Sequence, residues 1–195
     1  MAVFITGGQA EKRVNYVEWI ESDGNQWIDL EVEATQDIGF EADFLTKSAV
    51  ATSGFGMILG CMESGSNRYG VGTYPDKTGG GLFYGSAVYD PAITSGERMT
   101  ISLLNSVLTT PAGTTNVSAT TFSTGVSIVL FGRKKSDGTV DELSKTRAFS
   151  CRIYEKGTLI RDCWPCYDPD GVACLYDKVE KKYYYNAGTG AFTAG

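Results

Sequence analysis

Residues 148–195, AFSCRIYEKGTLIRDCWPCYDPDGVACLYDKVEKKYYYNAGTGAFTAG, decide how the rest of the chain is read. Short apolar runs alternate here with turn residues about every ten positions, the spacing of a β-sandwich or barrel. The pattern predicts a strand over 149–154, a turn at Glu155-Lys156-Gly157 and a return strand over 158–164. A second turn falls at Asp168-Pro169-Asp170-Gly171, then a short strand over 172–176, a charged corner over 177–182 and an aromatic run, Tyr183 to Tyr185. Asn186-Ala187-Gly188-Thr189-Gly190 closes the segment, with Phe192 as its last large apolar residue.

Moving outward, residues 38–46 (IGFEADFLT) alternate cleanly. Phe40, Ala42 and Phe44 share one face, and Glu41, Asp43 and Leu45 the other. Residues 14–22 and 26–32 predict an N-terminal strand pair around the turn signal Asp23-Gly24, and 56–62, 68–74 and 97–104 add further strands. Residues 106–112 and 115–122 suggest a hairpin. SIVLF, 127–131, is apolar on both faces, as a central buried strand would be. A charged excursion over 133–146 could include a helical turn at Val140 to Leu143. No repeat or linker divides the chain, so a lead over 1–13, open to use as an attachment segment, precedes one domain over 14–195.

The fragments SCRIYEKGTLIRD, GVACLYDKVEKKYYYNAGTGAFTAG and VEWIESDGNQWIDL together resemble a concanavalin A-like (laminin-G-like) jelly-roll domain. That domain recurs in tail-fibre and other virion proteins of tailed phages. The resemblance is strong over 14–33 and 147–195 and implies an all-β fold, a two-sheet antiparallel jelly-roll sandwich. It also implies that the N-terminal strand pair lies near the last strand, and that the protein is a non-enzymatic component of a virion surface. Its partners would be capsid or tail subunits, a host-surface glycan or a second copy of the chain. A capsid decoration or head-fibre protein without sugar binding is the alternative; a glycoside-active enzyme or bacterial lectin is a further one.

Composition narrows the chemistry. The 195 residues carry a net charge of -6 and no basic patch beyond Arg133-Lys134-Lys135, which disfavours nucleic acid. No histidine is present, which removes the commonest general base and metal ligand. The start, MAVFITGGQAEKR, lacks the pattern of a secretion signal, and no stretch reaches membrane-spanning length. The expectation is synthesis in a host cytoplasm and release in a virion.

Several constellations compete with plain structural readings. Related glucanases set three acids along one strand; here Glu41 and Asp43 are present, but Leu45 and Thr46 stand where the third belongs. Cys163 and Cys166 have zinc-knuckle spacing, yet three residues apart in a strand they face opposite ways, and the five cysteines read as buried thiols. Asp168 and Asp170 could offer oxygens to Ca²⁺, or could simply set a turn. The candidate ligand surface is the Gly-rich middle: Arg68, Tyr69, Tyr74, Asp76, Tyr84, Tyr89 and Asp90, where aromatic rings could stack on a sugar beside polar groups.

Overall fold

A computed structural model describes residues 13–49, 54–74 and 79–195. The lead over 1–12, the loop over 50–53 and the turn Pro75-Asp76-Lys77 lie outside the described residues. Two short strands come first among the described residues, β1 (Asn15–Tyr16) and β2 (Ile20–Glu21). β3 (Ile28–Thr35) and β4 (Ile38–Ala49) follow, then a meander of β5 (Gly56–Met62), β6 (Arg68–Thr73), β7 (Gly80–Tyr84) and β8 (Ala87–Tyr89). A second meander comprises β9 (Arg98–Leu104), β10 (Val107–Thr110) and β11 (Gly113–Asn116). β12 (Ser123–Leu130), β13 (Arg133–Lys135) and β14 (Val140–Asp141) lead to the final run. That run is β15 (Ser144–Glu155), β16 (Thr158–Tyr167), β17 (Ala173–Asp177), β18 (Lys182–Tyr184) and β19 (Thr193–Ala194).

These strands form two sheets packed face to face, an all-β sandwich of jelly-roll type. The larger sheet runs β11-β10-β9-β4-β15-β16-β17-β18, with β1 on β16 and β2 held between β15 and β19. The smaller runs β14-β13-β5-β6-β7-β8, with β12 joining β5 to β3. The pairings are antiparallel except β13 with β5. Lys156-Gly157 turns β15 into β16, and both residues have positive φ, as a two-residue hairpin turn requires.

The core is the set of inward side chains that alternation specifies. Phe40, Ala42 and Phe44 of β4 are buried, while Glu41 and Asp43 look outward. From the opposite sheet come Leu59, Tyr69, Val71, Leu82 and Ile128, all fully buried, and the Phe40 and Tyr69 rings meet edge to face at 6.1 Å. Ile128 to Phe131 are buried on both faces, as expected of SIVLF. The N- and C-terminal segments do meet: Ile20 pairs with Ala194, and the Trp19 amide donates to the Gly195 carbonyl. Two expectations need correcting. Val140 to Leu143 make no helical turn; Val140–Asp141 pairs with β13, and the ladder takes the backbone polar groups that a helix would use. The hairpin after residue 106 ends at Asn116, and 117–122 form no strand because Val117 and Phe122 turn into the core instead.

Candidate functional site

The described ligand candidates of the middle segment do not form one surface. Tyr69 is fully buried, with its hydroxyl donating to the Ile38 carbonyl at 3.0 Å. Tyr84 is 3% exposed, donates to the Gln36 carbonyl and packs edge-on against Phe122. Both rings therefore belong to the core and have no face left for a sugar. The Tyr89 hydroxyl bridges the Ser118 amide and carbonyl, and an Asp90 oxygen accepts from the Gly80 and Ala92 amides. Asp76 lies outside the described residues. Among the described candidates only Arg68 and Tyr74 share a surface, the outer face of the smaller sheet. Arg68 lies 4.7 Å over the Phe83 ring, and Tyr74 meets Phe55 at 4.9 Å. Their floor is glycine: a Cβ on Gly72 would stand 2.5 Å from the Phe55 ring, so the bare backbone is what lets these rings lie down.

The outer face of the larger sheet carries a denser constellation. Cys163 points into the core, so Trp164 points out, and its cross-strand partners Tyr176 and Tyr183 do likewise. Three aromatic side chains thus stand abreast on β16, β17 and β18. The Tyr176 and Tyr183 rings are 5.0 Å apart, and Tyr16 of β1 meets Tyr176 at 6.3 Å. The Trp164 indole N–H donates to Asp162 at 2.8 Å, which fixes the ring. Lys178 reaches over it, with its ammonium 4.0 Å from the ring centre.

Beside the aromatics runs a chain of ion pairs. Arg152 bridges Glu41 and Asp162, contacting the latter at 3.0 Å. Arg98 grips Asp43 through Nε at 3.0 Å and a terminal nitrogen at 2.8 Å, and reaches Glu18 at 3.2 Å. Glu41 and Asp43, the two acids with glucanase-like spacing, are therefore each committed to an arginine. A substrate would have to displace these guanidinium contacts to reach either carboxylate. Beyond Arg152 the row continues to Tyr154, which also lines a pocket of about 340 Å³ at the end of the sandwich. That pocket is walled by the turns that hold Asp37, Asn105 and Lys156.

The cysteines divide as the odd spacing required. Cys151 and Cys163 face each other in the core, where burial pushes the Cys151 thiol up to about 12. Cys166 and Cys174 face each other on the opposite side of the sheet, with their sulfurs 3.6 Å apart. All five thiols are free. Among the described residues no three metal-ligating side chains converge.

Asp168 spends its carboxylate on its own turn. One oxygen accepts from the Val172 amide at 2.8 Å and the Asp170 amide at 2.9 Å; the other accepts from the Tyr185 hydroxyl at 3.0 Å. A Ca²⁺ ion would have to displace these donors. The Val172 amide foremost, then the Tyr185 hydroxyl, holds the carboxyl below the usual range. A group with a depressed folded pKa stabilises the fold above its unfolded pKa and loses that contribution as pH falls through the folded value. The stability gap between the parent protein and Asp168→Ala should thus be widest near neutrality and close below pH about 4. Denaturant melts across that range measure it; a gap that persists at the acid end contradicts the role.

No protein-family model matches this chain, and no curated protein does.

Proposed function

We propose that this protein is a non-enzymatic binding module of a phage virion surface, and that the outer face of its larger sheet takes a host-surface glycan. The phage setting rests on the resemblance carried by 14–33 and 147–195. The glycan reading rests on one observation: Trp164, Tyr176 and Tyr183 stand side by side next to fixed hydrogen-bonding groups on Arg152 and Asp162. Aromatic faces cover the C–H surface of a sugar ring, and charged planar groups satisfy its hydroxyls. The face spans three strands, which suits a chain rather than a single residue, and Lys178 is exposed on a rotatable four-carbon stem that can swing aside from Trp164. Pairing of Glu41 and Asp43 with arginines supports binding without hydrolysis.

An array of bacterial surface polysaccharides tests this. The parent protein should give hits that weaken tenfold or more in Trp164→Ala and in Tyr176→Ala, in line with about 1.5 kcal/mol for a lost stacking contact. Tyr74→Ala, on the opposite sheet, should bind as the parent does. An array without hits would remove the glycan and leave virion subunits as the partner, which co-sedimentation with capsids or tails would then show.

A further inference from the structure

We propose that Cys166 and Cys174 form an oxidisable dithiol, which a hydroperoxide converts into a disulfide stapling β16 to β17. The two residues are direct partners in the antiparallel register, which sets their Cα atoms about 4.5–5.5 Å apart, inside the span a disulfide bridges. Their sulfurs are already in contact at 3.6 Å. A bond therefore needs rotation of two side chains and no strand movement.

A second facing pair, Cys151 with Cys163, occupies the equivalent register but lies between the sheets within the main hydrophobic cluster. The outer pair differs in its neighbours. Beside it in the sheet, paired to β16 at Cys166 itself, lies β1, two exposed residues, with Tyr16 46% exposed. So short a strand opens locally at small cost and admits a small oxidant, whereas the inner pair is reached only by unfolding. The pair is also chemically asymmetric. One thiol donates to the other across this contact, which lowers the Cys166 thiol from its usual range and raises that of Cys174. The step therefore starts from Cys166 as the attacking thiolate, and it balances equally with the roles exchanged.

The step balances. The Cys166 thiolate attacks the peroxide, the O–O bond breaks, an alcohol or water leaves, and a sulfenic acid forms. Cys174 then attacks that sulfur, the S–S bond forms and water leaves. Two thiols and one hydroperoxide give one disulfide, one alcohol (or water) and one water. The two sulfurs lose two electrons, and the peroxide oxygens gain them.

The test exposes the native chain to hydrogen peroxide, blocks remaining thiols in denaturant, and digests with a protease that cuts before aspartate. Cleavage before Asp168 and Asp170 separates the two cysteines onto different peptides. The expected result is a cross-linked peptide pair, two hydrogens lighter than the reduced sum and separated again by dithiothreitol. Cys163 in that pair should remain blocked, and two of the five thiols should be lost. Cys166→Ser should abolish the cross-link without a new one involving Cys151. A bond mapped to Cys151 and Cys163, sulfinic acid in place of a bond, or full blocking at peroxide levels that oxidise a peptide dithiol would each overturn the proposal. Mapping on the unmodified chain decides the matter even where a variant folds poorly.

Discussion

Tyr69→Ala should lower the unfolding free energy by about 4 kcal/mol, the cost of a large aromatic removed from a packed interior. The ring is fully buried, meets Phe40 at 6.1 Å and Tyr84 at 6.3 Å, and stacks on Phe122 at 6.4 Å. These contacts join the two sheets, so the cavity opens at the centre of the sandwich and cannot collapse from one side. For a domain of this size the thermal midpoint should fall by about 10 °C. Tyr69→Phe keeps the ring and strands the Ile38 carbonyl, which should cost about 1–2 kcal/mol. Denaturant melts followed by circular dichroism measure both. A variant that melts with the parent yet loses ligand would return Tyr69 to the binding surface.

The second large effect comes from a charge enclosed by the fold. Asp177 is fully buried. One oxygen accepts from the Asp162 amide at 2.8 Å and the Val179 amide at 2.9 Å, and the other faces Arg161 at 3.8 Å. Arg161 is 9% exposed and also donates to the Leu30 carbonyl and contacts Glu180 at 2.7 Å. Arg161→Met leaves a buried carboxylate without its cation and should cost about 3 kcal/mol. Neutralising the partner should restore part of this: Arg161→Met with Asp177→Asn should be more stable than the sum of the single changes by at least about 1 kcal/mol. Additive melts would show that the two side chains do not sense each other.

The fold was legible where alternation met turn chemistry. IGFEADFLT announced its buried and exposed faces because a strand has period two, and EKG and DPDG marked the reversals that the chain makes. The candidate site was less legible. Tyr69 and Tyr84 lie among glycines, and that company suggested open surroundings. In a strand, though, Gly70 and Gly72 describe the outer face, and Tyr69 and Val71 occupy the other. The same rule, applied from buried Cys163, would have placed Trp164 outward. What no local rule supplies is the partnership of Arg152 with Glu41 or Arg98 with Asp43, since each pair joins strands far apart in the chain and exists only once β4 has neighbours on both sides.

The position of β4 also orders events during synthesis. It lies between β9 and β15, and β2 waits for both β15 and β19. On a ribosome, the strand bearing Phe40 and Phe44 emerges more than a hundred residues before its second neighbour. The nascent chain must therefore keep an apolar strand from pairing with other chains until the closing segment arrives. Contacts of such long sequence separation make folding slow and all-or-none. Release of residues 148–195 from the tunnel, rather than the growth of any earlier unit, sets the moment at which this domain comes into being.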